Sequence, residues 1–565
     1  MRIIRVNTRD RGIRTEPVPG DFETLGGRAF TSRWIFRNVD PEAEPLGRKN
    51  QLVIAPGLLA GTAASSVHRL SVGAKSPLTS GIKESNSGGN VALKLARLGI
   101  KAVVLEDLPA EENFCVLKIN RNETCFESAA ELKGKGTEEA AAMLHSRYGK
   151  EVGLMVIGPA GEKRLATAAI LNSDREGYPA RLCGRGGMGA VLGSKGIKAV
   201  IVDDDGSARV PLAEEEPFKE AARRYNELLR TTPQTSEVYT KYGTAAMVDV
   251  TNALGGLPTK NFSQGTFEGA EKINGRALYQ TIVARGGDPS HACMPGCVIR
   301  SSNIYVDAGG KPIVRSLEYE TMVMFGSNCG IDSLDELAEI NRLCNDIGVD
   351  SIDLGGAVGI AMEANVIPYG DAAAVKKALA EIGADTLLGK ILGQGGAVTG
   401  KVLGVRRIPA VKGQVMAAYE PRAIKGHGVT FATSTMGADH TAGFTIREGL
   451  DSHERRGQVE ASGRMQVNGM IDDSLGVCLF AHVAVKGHHD ILAEMVKGRW
   501  GWEWGAGEIR EMAIVALQEE REFNRRAGLG PATDRLPEIF SEETNPSSGT
   551  TFDFSPEELD AIEYR

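Results

Sequence analysis

The sequence predicts an α+β fold, with a β-rich N-terminal domain over 1–207 followed by two mostly α-helical domains over 208–400 and 401–565. Three observations lead there. Short apolar runs recur at 2–6, 51–54, 102–105, 115–118, 153–157 and 198–202, punctuated by glycines, which is the pattern of strands. From 208 onward the apolar spacing turns helical. A chain of 565 residues also exceeds what one hydrophobic core can serve.

In the first part, 90–106 reads as a helix, a stop at Gly99 and a strand, and 137–149 reads as a helix. Asp203-Asp204-Asp205-Gly206 is a polar break and marks the first boundary. Residues 212–230 are charged and amphipathic. The clearest helix is 334–347. Ser333 and Glu336 form a capping box, Gly348 is the stop, and Leu334, Leu337, Ile340, Leu343 and Ile347 share one face. Further helices are expected at 371–382 and 385–392. Gly393 to Gly396 reads as a loop, with a boundary near 400. The last part mixes loops and helices, the longest over 507–526, and 541–556 reads as a polar surface segment.

Composition excludes several classes. The net charge is −8 with no basic run, which argues against a nucleic-acid partner. No apolar run approaches the ~20 residues that cross a bilayer. The start, Met-Arg-Ile-Ile-Arg-Val-Asn, reads as a strand and lacks the apolar centre of a signal peptide. Eight cysteines are too few for a disulfide framework, so the cytoplasm is the expected compartment. With 69 glycines there are many places where backbone can approach a ligand closely.

The candidate chemistry centres on 286–297, Gly-Gly-Asp-Pro-Ser-His-Ala-Cys-Met-Pro-Gly-Cys. Cys293 and Cys297 lie four apart in a loop opened by Pro295 and Gly296, so both sulfurs can reach one centre. An iron–sulfur cluster takes four ligands, and one can come from far along the chain. Cys478 is the distant candidate, which leaves one ligand to find. Cys344 lies near a helical apolar stripe and reads as a core thiol. Gly184-Arg185-Gly186-Gly187-Met188-Gly189 matches the letters of a dinucleotide fingerprint. The polar segment before it and the strand after it argue against that use, although the glycines can still admit phosphates. Gly395 to Val402 nearly matches a P-loop but lacks the final hydroxyl residue, and reads as a loop. Two further stretches are rich in polar residues and glycine, His68–Gly89 and Tyr419–Gly428 leading to Gly437-Ala438-Asp439-His440. Asn345–Asp350 and Asp473–Cys478 echo one another, each turning at a glycine, and two such turns could hold two halves of a pseudo-symmetric ligand.

Taken together these stretches resemble the tungsten-containing aldehyde:ferredoxin oxidoreductase family. The resemblance runs through Leu25-Gly-Gly-Arg28, Lys75-Ser-Pro-Leu-Thr79, Ser85-Asn-Ser-Gly-Gly89, Gly184–Lys195, Glu318-Tyr-Glu-Thr321, Tyr419-Glu-Pro-Arg422, Gly437–His440, Asp473–Cys478 and Asp534-Arg-Leu-Pro537. It implies a tungsten (or molybdenum) bis-pyranopterin, one iron–sulfur cluster and Mg. The first domain would form the base for the pterins, and the helical domains would close over them. Asn86 and the carbonyl of Ala190 would bind Mg, and Arg69 would lie near a pterin and the cluster. Asn345, Asp350 and Asp473 would accept pterin N–H groups, Asn345 standing where the family has Asp. The cofactor surface would further include Lys75, Gly88, Gly89, Arg185, Gly186, Gly187, Arg422 and Lys425.

The implied reaction is oxidation of an aldehyde to a carboxylic acid, with electrons leaving through the cluster to ferredoxin or a ferredoxin-like subunit. His440 would polarise or protonate the carbonyl oxygen and Glu320 would activate water, with Glu318 as fallback if the segment is a strand. The cluster motif departs from the family's Cys-x-x-Cys-x-x-x-Cys. Ser290 stands at the first position, with Asp288 and His291 as neighbours able to bind iron, so the cluster would be 4Fe-4S with an oxygen or solvent ligand there, or else 3Fe-4S, or else absent. Cys329 could serve only if the fold brings it close. A homodimer or hetero-oligomer is expected. The alternatives are the active-site subunit of a larger low-potential reductase acting on a thioester, as in the benzoyl-CoA reductases, or a pterin-binding paralogue without a cluster.

Overall fold

The computed structural model describes residues 1–207, 209–384 and 386–564. The chain begins with two six-stranded sheets that repeat one topology. The first uses β1 (Arg2–Asn7), β2 (Ile13–Pro17), β3 (Leu52–Pro56), β4 (Leu70–Lys75), β5 (Ile82–Ser87) and β6 (Ile100–Glu106) in the order β2-β1-β6-β3-β4-β5. The second uses β7 (Cys115–Ile119), β8 (Thr124–Ser128), β9 (Gly153–Val156), β10 (Ile170–Ser173), β11 (Pro179–Cys183) and β12 (Ile197–Val202) in the order β8-β7-β12-β9-β10-β11. Only β1·β6 and β7·β12 are parallel, and every other neighbouring pair is antiparallel. Strand for strand, the second sheet therefore retraces the first. Every apolar run read as a strand is one. The runs are nearly continuous because both faces are buried, as at Leu52–Pro56 and Ile197–Val202.

The rest is mostly helical. Helix Leu334–Ile347 has the expected bounds, with Gly348 left-handed at its C-terminus. Ser333 accepts from the Glu336 amide at 3.4 Å. The Glu336 carboxylate goes to Lys376 at 2.7 Å, so the reciprocal half of the expected capping box is spent on a neighbouring helix. The longest helix is Ala506–Arg526. Among the described residues no helix is long and apolar enough to cross a membrane.

Several expectations are corrected. Residues 396–403, expected as a loop, form helix Gly396–Leu403, which runs across the boundary placed near 400. Gly395 starts it from a backbone φ of +91°, and the Thr399 hydroxyl bonds back to the Gly395 carbonyl at 2.9 Å. Tertiary packing here overrides the low helix propensity of glycine. The stretch 68–89 is the buried hairpin β4–β5. The tail 541–556 is not merely a surface segment. Asn545 is fully buried and donates to the Gly255 carbonyl and to Glu420, and Phe552 is buried beside it. The glycine turn 184–189 does follow a strand and precede a helix (Met188–Ser194), but β11 runs antiparallel to β12, so no dinucleotide-type parallel crossover exists.

Candidate active site

The two echoing turns are where the helical part meets the repeated sheets. Each is the C-terminal cap of a long helix, with Gly348 at φ +79° and Gly476 at φ +82°. Each docks on one sheet by the same bonds. Arg69 N–H donates to the Gly476 carbonyl at 3.1 Å, and Ala169 N–H to the Gly348 carbonyl at 2.9 Å. Cys478 N–H donates to Ser66 O at 2.9 Å, and Asp350 N–H to Thr167 O at 2.8 Å. Glycines at matching places admit the turns. A Cβ on Gly57 would lie 2.2 Å from Gly476 N, and one on Gly158 would lie 2.2 Å from Ile347 O.

Between the two docked turns is a cavity of about 350 Å³. Arg69, Asn86, Gly88, Arg185, Asn345, Asp350, Asp473, Cys293, Cys478, Glu320 and His440, all singled out in the sequence, line it together. A wider cleft of about 610 Å³ between Lys412 and Tyr564 contains none of them. Its cations Lys412 and Arg521 are paired with Asp534 at 2.6 and 3.1 Å, so the cavity between the turns is the better candidate.

At one end lie the thiols. Cys293 donates to Cys297, which holds the Cys297 thiol down and pushes Cys293 up. Cys297 Sγ also accepts from the Ser66 hydroxyl at 3.4 Å and the Arg300 amide at 3.5 Å. Burial raises Cys478, opposed by the Arg69 guanidinium. Arg69 is half-buried, with Cys478, Cys293, Asp473 and Glu84 around it, and donates to Asn86 Oδ1. The donor set fits a cluster held by three thiolates. Ser290 and Asp288 have protein partners of their own. The Ser290 hydroxyl faces the Arg300 carbonyl at 3.4 Å, and Asp288 accepts from the Ser290 amide at 2.9 Å and lies 3.5 Å from His291. His291 itself packs on Asp174 at 3.5 Å. Cys329 and Cys344 are buried in the helical core, where burial raises both thiols. Among the described residues no three His, Cys, Asp or Glu side chains converge on a single ion.

The middle of the cavity is acidic and incompletely paired. Asp473 Oδ2 is buried without a hydrogen bond, 3.6 Å from Arg28. Burial, then the Glu84 charge, pushes its carboxyl well above the usual range. Asp350 caps its own helix through the Ile352 amide at 2.9 Å and meets Arg185 Nε at 3.3 Å. The unpaired Asp473 oxygen, with Arg69, Arg181 and Arg185 in the same lining, fits a ligand that carries both N–H donors and anionic groups.

At the other end are Glu320 and His440, 14% and 16% exposed, with Oε1 and Nε2 3.5 Å apart. Glu320 lies in the first turn of helix Tyr319–Phe325, not on a strand. Its Oε2 accepts from the Ala418 amide at 2.8 Å, which leaves Oε1 for His440 and the cavity. Burial raises the Glu320 carboxyl, and His440 opposes the rise. Glu318, the expected fallback, caps that helix and is engaged by the hydroxyls of Thr244 and Ser316. An apolar wall faces the pair, made by Tyr239, Met247, Tyr419, Phe444 and Phe480.

Other expected cofactor residues stand outside the cavity lining. Arg422 is buried against Glu420 at 2.6 Å and the Phe262 carbonyl at 2.6 Å. Lys425 pairs with Asp553 at 2.5 Å. The Lys75 ammonium bonds to the Pro41 carbonyl. Of the two residues expected on Mg, Asn86 lines the cavity, whereas Ala190 is fully buried in helix Met188–Ser194. Gly89, Gly186 and Gly187 pack behind the lining, where they clear Asn172, Lys83 and Pro77. Lys83 and Glu84 entered the sequence reading only as part of the polar stretch 68–89, and Asp472 was given no role there. The density of charged residues within a hairpin was the available signal for the first two.

Models of one protein family cover nearly the whole chain. The N-terminal-domain model of aldehyde ferredoxin oxidoreductase matches residues 3–204, and the model for its domains 2 and 3 matches 220–562. The chain is 32% identical to a tungsten-containing aldehyde ferredoxin oxidoreductase of Pyrococcus horikoshii, over 96% of this chain and 92% of the relative. It is 31% identical, with the same coverage, to that of Thermococcus kodakarensis. A WOR-like subunit of an aliphatic sulfonate oxidoreductase from Pyrococcus furiosus is 24% identical over 74% of this chain and 70% of the relative. The fold is shared, at TM-score 0.81 and 18% identity, with a chain of the BamBC active-site complex of benzoyl coenzyme A reductase bound to 1,5-dienoyl-CoA, covering 99% of this chain and 92% of that one. The chain therefore belongs to the aldehyde ferredoxin oxidoreductase family, alongside its tungsten-containing members from Pyrococcus and Thermococcus.

Proposed function

We propose that the protein oxidises an aldehyde to the carboxylic acid. The observation that carries this reading is the Glu320–His440 pair, 3.5 Å apart in the cavity that also holds Arg69, Asp473 and two of the three thiols. Asp473, Asn345 and Asp350 would hold the pterin edges. Arg69, Arg185 and Asn86 would meet their anionic groups, with Mg at Asn86. Cys293, Cys297 and Cys478 would hold the cluster. When bound, the tungsten or molybdenum bis-pterin supplies the electron acceptor, and the cluster the exit to ferredoxin or a ferredoxin-like subunit. Glu320, raised by burial, takes a proton from water at Oε1 while Ala418 fixes its other oxygen. His440 Nε2 hydrogen-bonds the developing oxygen. The apolar wall would limit water around both.

Metal analysis and EPR on anaerobically purified protein test the reading, together with aldehyde-dependent dye reduction. The expected result is tungsten or molybdenum with about three to four irons per chain. Absence of both metals with iron below about one per chain would overturn it. Turnover of a thioester rather than any aldehyde would favour the reductase alternative. Cys478→Ala is expected to lose most of the iron while far-UV circular dichroism stays unchanged. Full iron retention would remove Cys478 from the ligand set.

A further inference from the structure

One buried ion pair beside the catalytic pair has no role so far. Lys83, on β5, sends its ammonium to Asp439 Oδ2 at 2.6 Å, with the two side chains 1% and 3% exposed. Its stem crosses Gly186, where a Cβ would lie 2.4 Å from Lys83 Cγ. The glycine turn thus makes room for a lysine. The other Asp439 oxygen accepts from the Thr441 amide at 3.1 Å and hydroxyl at 2.9 Å. It also lies 3.7 Å from His440 Nδ1, a buried nitrogen with no hydrogen-bond partner. Arg185 braces the same loop by donating to the Ala438 carbonyl at 2.6 Å.

We propose that Asp439, anchored by Lys83, is a positioning residue that fixes the His440 proton on Nδ1 and leaves Nε2, on the Glu320 side, to exchange a proton with the substrate oxygen. A carboxylate beside one imidazole nitrogen selects that tautomer and favours the imidazolium. Asp439 is suited to this because it is held ionised. Burial would raise its carboxyl, but Lys83, Arg185 and His440 hold it well below the usual carboxylate range. The groups that face His440 are Glu320 from helix Tyr319–Phe325, Asp439 from its own loop, and His427 from helix Lys425–Thr433. Lys83 and Arg185 act on it through Asp439, and Tyr419 places an uncharged ring 6.1 Å away.

The test uses the anaerobic holoenzyme carrying Asp439→Asn, Lys83→Met, or both. It has two readouts. The first is the pH midpoint for carbethoxylation of His440 by diethyl pyrocarbonate, followed by peptide mass spectrometry. The second is the pH profile of kcat/KM for an aldehyde, which alone rests on the proposed function. An anion at this range favours the imidazolium by about one pH unit or more. Asp439→Asn is therefore expected to move the midpoint and the alkaline limb down by about one unit, with kcat/KM lower by about tenfold above both limbs and KM little changed. In Lys83→Met the buried Asp439 carboxyl takes up a proton, so the same shift is expected, and the double variant is no worse than Asp439→Asn. An unmoved midpoint, or additive losses in the double variant, overturns the proposal. A shifted midpoint in a protein that turns over no aldehyde keeps the positioning role and refutes the proposed reaction. If Lys83→Met does not fold, the isosteric Asp439→Asn decides alone.

Discussion

Glu320→Gln or His440→Ala is expected to lower the proposed aldehyde turnover by about 10²- to 10⁴-fold, with bound metal and iron unchanged. Glu320 Oε1 and His440 Nε2 face one another in the cavity at 3.5 Å, and each is held from behind. Ala418 holds Glu320, and Asp439 faces the far nitrogen of His440. The pH profile adds a signed check. Glu320 must lose a proton to act as a base, and burial has raised its carboxyl, so activity rises with pH through a limb above the ordinary glutamate value. The charged form of His440 opposes that rise. In His440→Ala the residual activity should therefore show its acid limb at higher pH than wild type. Near wild-type rates with a good aldehyde in either variant would sink the assignment.

Arg28→Met destabilises the folded chain by about 3–5 kcal/mol, read from the midpoint of urea unfolding. Arg28 is 1% exposed. Its Nε and Nη2 donate to Glu520 at 3.0 and 2.7 Å, and its Nη1 lies 3.6 Å from Asp473. Ser32 donates to the same glutamate at 2.6 Å. Removing the guanidinium leaves Glu520 buried with its charge uncompensated and takes a cation from beside Asp473. The pH dependence follows. Burial would raise Glu520, but the charge and hydrogen bonds of Arg28 bring its carboxyl below 4.5. A depressed carboxylate contributes stability above its unfolded value and loses it as pH falls through the folded one. Wild type should thus lose this contribution at acid pH below about 4.5, whereas Arg28→Met should show no such loss from this site. A variant within about 1 kcal/mol of wild type, typical of a surface pair, would refute the role.

The secondary structure was legible wherever local patterning decides it. The six apolar runs are strands because alternating and continuous burial leave a trace in the sequence. Leu334–Ile347 is a helix with its cap and stop at the expected residues. Gly396–Leu403 was not legible, because its glycine-rich sequence forms a helix only when packed. Much of the candidate site was also legible. Arg69, Asn86, Cys293, Cys478, Glu320, His440 and Asp473 were named from short motifs, and all line one cavity. Arg422 and Lys425 were named in the same way and lie elsewhere. A motif shows that residues recur together without showing which of them face a ligand and which brace the loop.

By itself, then, the sequence determined the order of elements, the turn glycines and the family, since each is written in residues near one another or in ordered motifs. Only the tertiary structure decided how these parts meet. The two six-stranded sheets repeat one topology without a readable sequence repeat, because hydrogen-bonded pairing depends on backbone. The echo of Asn345–Asp350 and Asp473–Cys478 gained its meaning when each turn docked on its own sheet through matching bonds. Lys83 and Asp439 stand 356 positions apart, and Arg28 and Glu520 492 apart. Their pairing follows from chain closure around a dry interior, where an unpaired charge costs too much to leave alone.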